Sequence, residues 1–137
     1  MSRQFRLLIG VIGNDIHIVA NIILARGLRQ SGYAVCNIGV NSTPLDFVAA
    51  SVEFEADVVI VSSINGEAEG WVSNLRLAFN AAGQNKILLY IGGNLAVGNQ
   101  PKKLVEQRYI EFGFDRAYHQ PPNFDVLFDD LATDLQG

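Results

Sequence analysis

Three short segments of this 137-residue chain carry residue types suited to site chemistry: Asp15 with His17, the pair Ser62-Ser63, and Gly92-Gly93 followed by Asn94. Asp15 and His17 are one residue apart, so a tight loop lets the carboxylate accept a hydrogen bond from one imidazole nitrogen. The other nitrogen is then more basic and faces outward, the usual arrangement behind a metal-ligating histidine. The plainer alternative is a capping or surface histidine. Zinc is a poor candidate, because Cys36 belongs to another strand and no second nearby histidine completes a site. Ser62 closes a Val-Val-Ile-Val run, where a hydroxyl also serves as a cap, and Gly92-Gly93 also suits a tight turn. Together these segments describe a slot walled by small residues, fitting something long rather than a compact phosphate.

Other chemistries fit less well. Asp15, His17 and Ser62 are the types of a hydrolytic triad, but Val61-Ser62-Ser63 lacks the glycine-flanked turn that exposes a nucleophilic serine. No Gly-Lys-Ser/Thr loop is present. Gly10 and Gly13 do not complete a dinucleotide fingerprint, and no acidic residue closely follows the second strand to hold a ribose.

The elements that must position these segments follow from hydropathy. Apolar runs at 5–12, 34–40, 57–62 and 86–91 are continuous, as in strands covered on both faces, and a shorter one spans 116–118. Helical periodicity lies between and after them. One helix spans 18–30, with Ile18, Ile22, Leu24, Ala25 and Leu28 as its apolar stripe and Gly32 as its stop. Another begins at Pro44 behind Ser42-Thr43 and runs to about residue 55. Three more cover roughly 71–82, 101–112 and 124–135, the fourth of the five being the most polar and the least buried. This alternation predicts an α/β fold: a flavodoxin-like, Rossmann-like, doubly wound five-stranded parallel sheet of order 2-1-3-4-5 with helices on both faces. Ligands in such sheets bind beyond the carboxyl ends of the strands where the winding reverses, between strands 1 and 3. The loops after strands 1, 3 and 4 meet there, and they hold the three segments.

Composition narrows the classes. Hydrophobic residues at 49% and charged residues at 18% are a globular balance, and 137 residues fit one domain spanning 1–137. A net charge of −4 with no basic cluster argues against nucleic acid as partner. The single cysteine, Cys36, rules out an intrachain disulfide and reads as a small buried thiol. The run Leu7 to Ile12 is far too short for a bilayer and has no signal-peptide layout, so a cytoplasmic protein without membrane association is expected.

Set in order, Asp15-Ile16-His17-Ile18-Val19-Ala20, Ser62-Ser63-Ile64 and Gly92-Gly93 resemble the Asp-x-His-x-x-Gly, Ser-x-Leu and Gly-Gly signature of cobalamin-binding domains that hold B12 base-off with histidine on cobalt. The runs Gly10-Val11-Ile12-Gly13, Asn37-Ile38-Gly39-Val40, Gly92-Gly93-Asn94, Val105-Glu106-Gln107-Arg108 and Gly113-Phe114-Asp115-Arg116 extend the resemblance, over nearly the whole chain, to the small (sigma) subunits of glutamate mutases (methylaspartate mutases). The resemblance implies that His17 is the lower axial ligand of cobalt, with Asp15 on its other nitrogen. It further implies a cofactor site of Asp15, His17, Ile18, Ala20, Ser62, Ser63, Ile64, Gly92, Gly93 and Asn94. Ser62 would contact the base of the displaced nucleotide tail, and the glycine pair would leave room for it. The cofactor would be adenosylcobalamin, serving a carbon-skeleton isomerase. Most catalytic groups, none of them in this chain, would lie in a larger barrel-type subunit of a heterotetramer.

Two positions depart from the signature. Ile64 replaces leucine and keeps the apolar volume. Ala20 replaces glycine, which favours the helix by ~1 kcal/mol but places a methyl near the tail. Glu67, Glu69 and Trp71 read as a solvated loop with a locally packed ring, or as contacts to a partner subunit; His119 reads as a surface histidine. The competing functions are a non-enzymatic cobalamin carrier or regulatory module, and a flavodoxin-like interaction domain with a degenerate B12 site. A signalling receiver is disfavoured, since no acidic pair ends strand 1 and no phosphoacceptor aspartate ends strand 3.

Overall fold

In the computed structural model, which describes residues 4–14 and 16–136, five strands form one sheet. They are β1 (Arg6–Val11), β2 (Ala34–Asn37), β3 (Val58–Ser63), β4 (Leu88–Gly93) and β5 (Arg116–His119). The order is β2-β1-β3-β4-β5 and every neighbouring pair is parallel, the doubly wound arrangement expected from the alternation. The helices are α1 (Val19–Gln30), α2 (Pro44–Phe54), α3 (Glu69–Val72), α4 (Leu75–Ala81), α5 (Lys102–Glu111) and α6 (Asp125–Gln136).

The continuous apolar strands divide their side chains between two cores. Leu7, Ile9, Val58, Ile60 and Tyr90 pack with Leu24, Ala25 and Leu28 of α1 and Leu127 and Leu131 of α6. The alternate residues Leu8, Val59, Val61, Leu89 and Ile91 pack with Phe47 of α2, Val72 of α3, Leu75 and Phe79 of α4, and Val105 and Tyr109 of α5. A strand covered on both faces has no polar alternation, which is why these runs read as unbroken.

Local sequence explains the helix boundaries. Thr43 caps α2: its hydroxyl accepts the Asp46 N–H at 3.2 Å while Asp46 Oδ2 accepts the Thr43 N–H at 2.9 Å, with Pro44 in the first turn. The single helix expected over 71–82 is instead two pieces. Ser73 and Asn74, weak helix formers, stand at the break, and Asn74 leaves the helical region at φ −114°, ψ 13°. The break lets Val72 and Leu75 both enter the core. Polar α5 still buries Val105 and Tyr109 completely. Strand β2 is shorter than its apolar run because Asn37 Oδ1 accepts the Gly39 N–H at 2.9 Å and Gly39 turns the chain at φ +83°.

Candidate functional site

The site begins where β1 ends. Gly13 turns the chain at φ +74° beneath the Trp71 indole, and a Cβ there would meet the ring nitrogen at 2.6 Å. Only glycine meets both demands, so Trp71 packs on the β1 exit rather than facing solvent alone. The loop then passes Asp15, which lies outside the described residues, to the exposed His17 and into α1. Ile18 is the N-cap residue of α1 and accepts the Ile22 N–H through its carbonyl; it does not line the cavity described next.

His17 stands on the wall of a cavity of about 400 Å³ at the carboxyl ends of the strands. Residues 17, 20, 21 and 24 form the α1 side, one face at i, i+3, i+4 and i+7 spacing. The expected apolar stripe is therefore rotated: Asn21, Leu24, Ala25 and Leu28 are the buried positions, and Ile22 is 49% exposed. Ser62, Ser63, Ile64, Gly92, Gly93 and Asn94 complete the sheet side. Nine of the ten expected site positions fall among the described residues, and all of these except Ile18 line this one cavity.

The glycine pair belongs to strand β4 rather than to a loop after it. Gly92 pairs with Ser62 and Tyr118, and Gly93 with Ser63 and His119. Their small size serves different ends. A Cβ on Gly92 would lie 3.6 Å from Tyr118, an ordinary contact, whereas on Gly93, at φ +119°, it would lie 1.9 Å from the Ser63 carbonyl oxygen.

The opposite wall was not legible in the motifs. It consists of Tyr118, the turn Gln120-Pro121-Pro122-Asn123, and Phe124, Val126 and Leu127 at the start of α6. The available signal was topological, since β5 lies beside β4 and its exit borders the same edge. Paired polar groups clamp this wall. Arg116 Nε and Nη2 reach Asp134 at 3.1 and 2.8 Å, Tyr90 donates to the same carboxylate, and Tyr118 Oη donates to Asp130 Oδ2 at 2.7 Å. The Arg116 hydrogen bond holds the Asp134 carboxyl below the usual carboxylate range. Burial, then the bond to Asp130, pushes the Tyr118 phenol well above its own, so it stays a donor.

His119 corrects a further expectation, because it is 2% exposed rather than a surface residue. Its Nδ1 accepts the Leu95 N–H at 3.1 Å, the Leu95 carbonyl accepts from Tyr109 Oη at 2.7 Å, and the His119 N–H goes to Glu106 Oε2 at 2.9 Å. An Nδ1 that accepts carries no proton, and burial pushes the imidazole below its ordinary 6.5, opposed by Glu106 and reinforced by Lys102. The unfolded chain therefore takes up the proton more readily than the folded one. The stability tied to neutral His119 is fully present above pH 6.5 and is lost as the pH falls below it. Replacing His119 with leucine orphans the Leu95 N–H and costs about 1–3 kcal/mol at pH 8. Urea melts at several pH values should show that loss, together with a shallower acid slope than the parent; an unchanged slope would remove His119 as its source.

Among the described residues, no group of three or more His, Cys, Asp or Glu side chains is placed to hold a metal ion. A site offering one imidazole suits a metal that brings its other ligands with it. Also among the described residues, no helix is long and apolar enough to cross a membrane.

The family model described as B12 binding domain matches residues 5–116. The chain is 40% identical over 135 residues to the glutamate mutase sigma subunit of Treponema denticola, covering 98% of this chain and 97% of that protein. In fold it is similar to a cobalamin-binding protein from Desulfitobacterium hafniense, at a TM-score of 0.69 and 20% identity, over 85% of this chain and 53% of that one. It thus spans about half of that longer protein. A signal receiver domain from Mycobacterium tuberculosis superposes with the same TM-score of 0.69 at 12% identity, over 99% of both chains. Fold likeness alone therefore does not separate these two uses of the sheet.

Proposed function

This chain belongs to the B12-binding domain family, and from that premise we propose that it is the cobalamin-carrying subunit of an adenosylcobalamin-dependent carbon-skeleton isomerase of the glutamate mutase kind. The observation that carries the reading is the single cavity that gathers His17 and Ala20 with Ser62, Ile64, Gly92 and Gly93, joining all three signature segments around one space. The whole chain acts as one cobalamin-binding domain.

The residues present fit such a group. The cavity, of about 400 Å³, is lined by one face of α1 and by the small residues Ala20, Ser62, Ser63, Gly92 and Gly93, a lining that would leave room for a nucleotide tail. His17 would offer an imidazole nitrogen to cobalt from the exposed mouth, and Asp15 would take the hydrogen bond of the other nitrogen. Ser62 would contact the base, and Ile64, Asn94 and the Tyr118 wall would exclude water around the tail. Adenosylcobalamin, when bound, supplies a weak cobalt–carbon bond whose homolysis starts a radical rearrangement. This chain's part is to hold and orient it, while substrate and catalytic groups come from a larger barrel-type subunit in a heterotetramer.

Titrating the purified chain with adenosylcobalamin, then adding a glutamate mutase catalytic subunit and assaying the isomerisation, tests both levels. A base-off spectral change with turnover on addition of the partner is expected. Binding without turnover would leave a carrier, and no binding would overturn the reading. Ala20→Gly should tighten cobalamin binding by removing a methyl from the cavity wall, at a cost of ~1 kcal/mol in helix stability. Equal affinity for the two forms would clear that methyl of any crowding.

A further inference from the structure

The α1 face that lines the cavity contains a polar side chain sealed from solvent: Asn21, 2% exposed, one helical turn past His17. Its neighbours fix which way its amide points. Asn37 Oδ1 is occupied by the Gly39 N–H, so Asn37 turns its Nδ2 toward Asn21 and donates to Asn21 Oδ1 at 2.6 Å. Flipping Asn21 would set two NH2 groups against each other. Asn21 Nδ2 is thus left over, and among the described residues it is the buried side-chain polar atom without a hydrogen-bond partner. Buried donors are nearly always satisfied, so an orphan at a cavity wall points to an acceptor that arrives with a ligand.

We propose that Asn21 is a binding residue for the nucleotide tail, its Nδ2 donating to an acceptor oxygen or nitrogen of the tail while Asn37 holds the amide in that orientation. The inference rests on the cobalamin reading above and adds a contact that none of the signature positions supplies. Asn21 follows Ala20 directly, and Ala20 and Leu24 flank it on the cavity face. A phosphate, ribose or base threaded past His17 along α1 reaches it about 6 Å further along the helix axis.

The test compares hydroxocobalamin with cobinamide, a corrinoid that lacks the nucleotide tail, on the full-length chain and on its Asn21→Leu and Asn21→Asp variants. Asn21→Leu should weaken hydroxocobalamin roughly 3- to 10-fold, the range for one neutral hydrogen bond, and leave cobinamide within about twofold. Asn21→Asp keeps the acceptor for Asn37 but loses the donor, so it should show the same selective loss even if the leucine variant folds poorly. Equal weakening toward both corrinoids would make Asn21 a structural prop, and no change toward either would mean that water satisfies it. Either result overturns the proposal. If the parent chain itself binds cobinamide as tightly as hydroxocobalamin, the tail reading fails and takes this inference with it.

Discussion

Replacing His17 by alanine should lower the affinity of the chain for hydroxocobalamin by more than about 100-fold, beyond the ~10–100-fold cost of losing a group that merely supports a metal ligand. It should also remove the absorption change that nitrogen coordination produces. His17 is exposed, belongs to no strand or helix, and stands before the first residue of α1, so its truncation should cost the fold about 1 kcal/mol at most, the size of one exposed contact. Loss of binding in a variant that melts like the parent can then be assigned to the ligand bond. Parallel absorption titrations and thermal melts supply the check. A variant that binds equally tightly with the same spectrum would end the axial-ligand assignment.

The second large effect concerns folding. Gly93→Ala should destabilise the chain by about 2–6 kcal/mol, from two separate causes. Its φ of +119° is a backbone region that side chains rarely adopt, worth roughly 1–3 kcal/mol. Its new Cβ would also lie 1.9 Å from the Ser63 carbonyl oxygen, which already accepts the Asn94 N–H at 2.7 Å. Relieving that overlap must part β3 from β4 at the cavity floor, a cost of the size seen when well-packed interiors are overfilled, about 1–3 kcal/mol. Gly92→Ala is the matched control. Its Cβ meets Tyr118 at 3.6 Å, so it should stay within ~1 kcal/mol of the parent, the usual size of a tolerated substitution. Urea melts of the two variants decide the matter, and two equal curves would refute the assignment of separate roles to the glycines.

Much of this arrangement was legible in the residues themselves. Unbroken apolar runs told of strands covered on both faces, and their spacing with the helices implied the 2-1-3-4-5 order that the sheet adopts. That order brings the exits of β1, β3 and β4 together, which is why three short segments scattered over about 80 residues could be read as one site. The resemblance they carry agrees with the family to which the chain belongs.

Other features depended on partners distant in the chain. Hydropathy ranked Ile22 above Asn21 as a core position, yet helix rotation is set by what α1 packs against. Leu24 and Leu28 seat on β1 and β3, which turns Asn21 inward and leaves Ile22 at the surface. His119 looked exposed because it follows a short strand and precedes two prolines. It is buried because the 94–97 segment and α5 close over it, supplying the Leu95 N–H and Glu106. The β5–α6 wall of the cavity likewise exists only once Arg116 and Tyr118 meet Asp134 and Asp130.

The sequence by itself therefore determined the periodic elements, their order in the sheet and the place where the signature residues converge, because apolar periodicity and short motifs are local properties. Only the tertiary structure decided which polar groups are buried, which of them lack a partner, and which glycine serves the cavity and which the backbone. Those outcomes depend on close contacts between residues far apart in the chain, and local pattern does not encode such contacts.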